Sequence, residues 1–366
     1  MNSGMGVKKR LYHVDLLKSL AIWFVLMFHG TLYNYLVLPD MPVGDLLRFF
    51  TRTILSTCVP LFFFVNGYLL LGRPLDLKKH TVKTGKLMVL TCFWILFLLV
   101  VLQDYYQQPI NWAELKEGIW NLRDGWNNHL WYMSSLIGIY LVFPLLKAAY
   151  DGNRGSFYWF TAVTVLAVFG SSLYDLCVTM FNLVVKKEFW IHQNNLPIFY
   201  QFQPFAYNTR MGAAYFCLGG VAWALEERLL KFPARWRNLI AASGLLLCCA
   251  MLGILGWRFS LYRGWLWDVV WNGYNTVFTL GSVLCLYVLS LNLKRDIPIL
   301  RWISANTLGI YLVHDLIHKA VGPAVTRVEA MCTLPGTVVY ASALLMVTLG
   351  VCLVLKKIPL VKHLVS

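Results

Sequence analysis

Asp15-Leu-Leu-Lys18-Ser-Leu-Ala-Ile22-Trp-Phe-Val-Leu26-Met-Phe-His29 is an apolar stretch that carries three ionisable side chains. It belongs to a run over 13–36, and a helix needs about 20 residues to cross a hydrocarbon layer about 30 Å thick. Around a helix axis, Lys18 and His29 point within about 20° of each other, and Asp15 lies within about 40° of His29. All three share one stripe, with Ile22 and Leu26 between them. The rise from Lys18 to His29 is about 16.5 Å, roughly half the hydrocarbon thickness. Ionisable groups are costly in lipid and face a bundle interior or a wet cavity. For Lys18 a second reading is open: its stem lies in lipid while the ammonium reaches the interface, helped by an i,i+3 pair with Asp15. His29 is too deep for that, although a histidine bonded to a neighbouring backbone carbonyl is an alternative there.

The rest of the chain reads the same way. Of 366 residues, 58% are hydrophobic and 13% charged, and the mean hydropathy is +0.60. A soluble domain carries about a quarter charged residues, so these apolar blocks require a bilayer. Ten segments qualify as spans, near 13–36, 46–71, 86–103, 129–149, 157–177, 211–227, 238–256, 273–292, 303–321 and 336–355. The expected fold is all-α: a single polytopic bundle of ten transmembrane helices over residues 1–366, because helices satisfy their own backbone hydrogen bonds in lipid. With both termini inside, the inside segments hold 20 of the 32 Lys and Arg, the outside loops hold 8, and the spans keep Lys18, Arg48, Arg52 and Lys319. That bias fits a multi-pass protein of the cytoplasmic (inner) membrane, N-in and C-in. The net charge of +15 sits in short clusters between apolar runs, so nucleic acid is not an expected partner. The nine cysteines lie mostly in apolar runs with no C-x-x-C and read as small buried hydrophobes. No cleavable signal peptide is evident, and the first run is expected to stay as a helix.

Two outside segments, near 104–128 and 178–210, are long enough to suggest function. The second is rich in aromatic and amide residues, among them Trp190, Asn194, Tyr200 and Gln203. Trp257 to Trp271 holds four tryptophans, which read as an interfacial belt or as platforms for sugar rings. Pro60 should kink the second span. Asn66-Gly67 offers a polar group where a backbone or ligand can approach closely. His129-Leu130-Trp131-Tyr132 lies at an outer boundary. Asn306, Tyr311, His314, Asp315 and His318 share one span. His314 and His318 are i,i+4, but no third ligand accompanies them and H-D-x-x-H is not a metalloprotease signature, so no metal is expected. There is no phosphate loop and no G-x-S-x-G elbow.

Four pieces in order carry a family resemblance: Asp15-Leu-Leu-Lys18…His29; Val59-Pro60-Leu-Phe-Phe…Gly67-Tyr68; His129-Leu130-Trp131…Tyr140-Leu-Val-Phe-Pro144-Leu; and Ile303-Ser304…Leu308-Gly-Ile-Tyr311…His314. The chain resembles the membrane acyltransferase-3 family of ten-helix, acyl-CoA-dependent O-acyltransferases over roughly 12–320. The basic-x10-His spacing is that family's most diagnostic feature. The resemblance implies an acyl-CoA donor, acetyl-CoA above all, consumed as substrate on the cytoplasmic side. It implies an acceptor hydroxyl on a cell-surface saccharide, and no permanently bound cofactor. It assigns His29 as the catalytic histidine and Lys18 as its basic partner; Asp15, beside Lys18 on the stripe, is expected to orient or neutralise it. Expected substrate-binding residues are Arg52, Asn66, His129, Trp131, Tyr132, Asn306 and His314. The chain departs from the family at Asn66, often Ser, and at Ser56, often Arg, with Arg52 the expected substitute one turn earlier. The rival reading is a transporter or flippase for a lipid-linked or amphiphilic solute, in which the same charges line a path.

Overall fold

The computed structural model describes residues 10–30, 43–105, 112–113, 116, 128–185, 207–263, 266–359 and 361–365. Among them the chain is helical throughout, with no strand. The helices are α1 (Tyr12–His29), α2 (Val43–Leu55), α3 (Cys58–Leu71), α4 (Leu77–Tyr105), α5 (Trp131–Gly152), α6 (Arg154–Val185), α7 (Tyr207–Lys231), α8 (Ala234–Arg263), α9 (Val277–Ser290), α10 (Pro298–Val325) and α11 (Leu334–Leu355). Short 3-10 turns, Asn128–Leu130 and Asn272–Asn275, lead into α5 and α9. By length and composition, five segments among the described residues are able to cross a membrane: Val43–Leu71, Leu77–Leu98, Trp131–Gly152, Ala234–Leu261 and Leu334–Leu355. Five of the ten expected spans, near 13–36, 157–177, 211–227, 273–292 and 303–321, are not among them; in α1 the polar residues Asp15, Lys18, His13 and His29 lower the hydropathy. Large apolar side chains such as Leu145, Leu246 and Val354 face outward, as a lipid-facing surface requires.

α2 and α3 together form one apolar stretch, and its break illustrates how the sequence acts locally. A proline ring clashes with the carbonyl four residues back. For Pro60 that carbonyl belongs to Ser56, and the helix interrupts at Ser56–Thr57. Pro60 itself sits in the first turn of α3, where a missing N–H costs nothing. Hydroxyls use the carbonyls around the break: Thr53 Oγ1 donates to Phe50 O at 2.6 Å, Ser56 Oγ to Thr53 O at 2.7 Å, and Thr57 Oγ1 to Ile54 O at 2.7 Å.

α3 packs most closely against α7, and glycines permit it. A Cβ on Gly67 would lie 1.8 Å from the Phe216 carbonyl oxygen, and one on Gly219 would lie 2.0 Å from that of Phe64. Backbone therefore meets backbone, as small residues allow at helix interfaces in membranes. The close approach expected at Gly67 is made by α7. α1 lies against α10, α3 and α11, so its polar stripe faces the interior. It ends at His29, earlier than the expected 36, where Gly30 caps it by donating to Met27 O at 3.2 Å. Residues 31–42, and most of the segments 104–128 and 178–210 including Trp190, Asn194, Tyr200 and Gln203, lie outside the described residues.

Candidate active site

The stripe on α1 opens into two cavities. The first, about 340 Å³, lies at the His29 end, where Val25, Phe28, His29, Cys58, Val59, His129, Trp131, Asp268, Trp271, Tyr274 and Tyr311 line it. The second, about 220 Å³, lies at the Lys18 end. Its wall comprises Lys18, Phe62, Asn66, Lys83, Leu87, Tyr132, Leu136, Tyr140, Thr307, Leu308 and Tyr311.

At the Lys18 end, the ammonium donates to the Ser304 carbonyl at 2.5 Å, tying α1 to α10. Lys83 approaches from α4, with its Nζ 5.7 Å from the Tyr140 ring centroid. Asn66 is oriented by both its ends: Nδ2 donates to Phe62 O at 2.8 Å, and Oδ1 accepts from Tyr140 Oη at 2.8 Å. Two ammonium groups, an amide and a phenol thus face one small space, a donor set suited to an anionic, oxygen-rich ligand. The expected pairing of Asp15 with Lys18 is not the one formed. Asp15 accepts from Arg10, at 2.6 Å from Nε and 3.1 Å from Nη2. Arg10 precedes the helix, and its planar fork meets the carboxylate with two bonds where an ammonium offers one.

The His29 end is built of imidazoles and indoles. The His29 ring centroid lies 5.3 Å from that of His314 and 6.5 Å from that of His318. His314 is fully buried, and its Nδ1 lies 2.6 Å from the Tyr311 carbonyl. A carbonyl only accepts, so Nδ1 carries the proton and Nε2 is left as an acceptor. His129 Nδ1 lies 3.5 Å from Asp315 Oδ2, and Lys319 donates to the same oxygen at 2.7 Å. Among the described residues, nothing bonds the buried Nε2 of His129 or of His314. His318 is engaged elsewhere, 2.7 Å from Tyr340 Oη. No group of three metal-ligating side chains converges among the described residues. Trp131 and Trp271, centroids 5.5 Å apart, form an aromatic wall, so two indoles from belt-like sequence positions face the interior.

The structure brings most of the expected residues to these two spaces but not all to the same one. Lys18, Asn66 and Tyr132 share the smaller cavity; His29, His129 and Trp131 share the larger; His314 stands behind the His29 ring. Arg52 lines neither cavity: it is buried, donates to Asp268 at 3.0 Å, and has its guanidinium 5.7 Å from the Phe28 ring, so it stands behind two residues that line the larger cavity. Asn306 lines neither cavity, because its Nδ2 donates to Trp302 O at 2.7 Å and its Oδ1 accepts from Lys356 at 2.6 Å.

The family model described as an acyltransferase domain, acyltransferase 3, matches residues 11–357. The chain belongs to the acyltransferase-3 family. The acyltransferase-3 domain covers most of the chain, and its several helices long and apolar enough to cross a membrane make it a multi-pass membrane protein. It is also 24% identical over 333 residues to an amino-acid racemase of Enterococcus faecalis, across 85% of this chain and 41% of that one. The chain therefore spans about two fifths of that relative's length. No solved structure matches it.

Lys83, Tyr140, Asp268 and Tyr311 also line the cavities, and Asp315 stands beside His129, although none of the five was among the expected site residues. Asp315 was visible as an acid inside an apolar span and beside a histidine. Asp268 sits in an irregular stretch with no periodicity to place it. Lys83 and Tyr140 reach the cavity from helices whose pairing the linear sequence does not state.

Proposed function

We propose that this acyltransferase moves an acyl group, acetyl above all, from acyl-CoA on the cytoplasmic side of the inner membrane to a hydroxyl of an extracytoplasmic cell-surface glycan or its precursor. The observation that carries the reading is the pair of cavities set at the two ends of one helix stripe, cationic at Lys18 and imidazole-lined at His29. In this reading α2 and α3 count as one crossing, the chain spans ten times with both termini inside, and the Lys18 end is cytoplasmic. The bias of Lys and Arg toward the inside segments supports that orientation. Within the family, the motif order most resembles the O-acetyltransferase that modifies enterobacterial common antigen, and that resemblance supports acetyl and a saccharide acceptor.

Lys18 and Lys83 hold the anionic donor by charge-assisted hydrogen bonds, a role that Arg52 is placed too far round to share. The thioester arm extends along the stripe toward His29. The acceptor hydroxyl lies against Trp131 and Trp271, whose faces suit the C–H surface of a sugar ring. His29 takes the hydroxyl proton as general base. The alkoxide oxygen adds to the acyl carbon, the C–S bond breaks, and an ester C–O bond forms. The proton held by His29 passes to the departing thiolate, giving free CoA thiol and a neutral imidazole. Lone pairs on His314 and His129 nearby can accept from the imidazolium while it carries the proton. An acyl-histidine route, with His29 attacking the thioester first, uses the same groups.

The test uses purified protein in proteoliposomes, supplied with acetyl-CoA labelled in the acetyl group and a saccharide acceptor on the opposite face. Label in an ester on the saccharide, with free CoA thiol released, is expected. Exchange of the saccharide across the membrane with no acyl product would overturn the reading in favour of a transporter.

A further inference from the structure

Among the described residues, one side chain, Tyr311, belongs to the walls of both cavities. It is 4% exposed, so the ring fills the boundary instead of standing in either space. Its neighbours divide in the same way. On one side the Tyr132 ring, part of the Lys18 cavity, meets it edge-on at 5.4 Å. On the other, the His129 ring, part of the His29 cavity, lies 6.0 Å away. The phenol donates a hydrogen bond to the His129 carbonyl, at the 3-10 turn before α5. Tyr132 is itself backed by Phe63 at 4.8 Å and Phe62 at 5.7 Å, so the Lys18 side of the partition is stiff. The Tyr311 ring, by contrast, is latched at its tip by the bond to His129, and a rotamer change that breaks this bond would join the two spaces.

We infer that the Tyr311 ring is the septum between the Lys18 cavity and the His29 cavity, and that its reach toward the donor side sets the longest acyl group the protein transfers. The donor and acceptor in this inference rest on the acyltransfer reaction proposed for the protein; the barrier itself does not. A septum that gives way only at its latch has two effects. It lets a thioester end pass while keeping water from running between the cavities, and it leaves little room for methylenes beyond a short acyl group. Removing the ring should merge the cavities and lengthen the acyl space.

Two measurements test this. In the otherwise native protein in proteoliposomes, turnover is followed with acyl-CoA donors from acetyl to hexanoyl. Tyr311→Ala is expected to raise hexanoyl relative to acetyl transfer by about tenfold or more, the scale on which pockets discriminate single methylenes, and to release more CoA without acceptor as water enters. Tyr311→Phe, which keeps the ring, is expected to retain the wild-type length preference. Unchanged length preference in Tyr311→Ala with acetyl turnover retained, or equal relaxation in Tyr311→Phe, would overturn the assignment of acyl length to the ring. Absence of turnover with every donor in the wild type would overturn the acyltransfer reading instead, and the second measurement then decides the septum. In a chain with its nine native cysteines replaced, Leu136→Cys places a thiol in the Lys18 cavity. A maleimide that does not cross membranes should label it from the Lys18 face only, and from both faces once Tyr311→Ala is added. Labelling from both faces with Tyr311 intact, or from one face without it, would refute the septum.

Discussion

The two cavities along α1 differ in what they offer a ligand. The Lys18 space presents ammonium groups from α1 and α4, an amide and phenols, a set made for a polyanion and indifferent to its covalent chemistry. The His29 space presents imidazoles with unbonded ring nitrogens, a buried carboxylate behind them and an indole wall, a set that can move a proton and lie against a ring. In the proposed reaction, binding and chemistry therefore fall at opposite ends of a helix stripe about 16.5 Å long. The polar residues of α1 are therefore not a single site spread thin. They are the ends of two sites, and mutations should sort by cavity.

The largest expected effect is at the chemical end. His29→Ala should lower kcat by about 10²–10⁴-fold, the usual contribution of a general base, while the KM for acyl-CoA stays near the wild-type value. Transfer at the wild-type rate with matched protein levels would remove His29 from the mechanism. Next, Lys18→Met should raise the donor KM by about 10–100-fold, as loss of a charge-assisted contact does, and leave the acceptor KM unchanged. An equal rise in both constants would erase the division between the cavities. Trp271→Ala should act in the mirror sense, raising the acceptor KM by about 3–10-fold and sparing the donor's. The smallest change is expected from Asp15→Asn. Its partner Arg10 is 41% exposed, and such pairs are worth at most about 1 kcal/mol, so both KM values should shift by less than about fivefold. A large donor effect there would restore Asp15 as a partner of Lys18.

The helices were legible in the sequence because apolar runs of spanning length need lipid to bury them, and the shared direction of Lys18 and His29 followed from helix periodicity alone. The break before Pro60 was legible too, since its cause is local sterics. What the sequence withheld depends on pairing between distant segments. Asp15 has Lys18 in i,i+3 position, yet Arg10 makes the better bidentate partner from outside the helix. Arg52 looked like a donor-binding cation by type, but Asp268, 216 positions later, pairs with it behind the wall of the other cavity. Asn306 looked like a ligand-facing amide until Lys356 from beyond α11 filled its acceptor. In each case the residue type was right for chemistry, and tertiary contact decided whether it was available.

The glycine seam between α3 and α7 has a consequence for motion. Where carbonyl oxygens stand against glycine Cα atoms, no side chain is present to bend, so the two helices can neither slide nor roll without a collision. They behave as a stator. Asn66, which orients one wall of the Lys18 cavity, is bolted to it through its neighbour Gly67. Tyr311 is carried on α10, outside the seam. If turnover requires any part to swing, the sequence has already divided the bundle into a frame that keeps still and a rotor that need not.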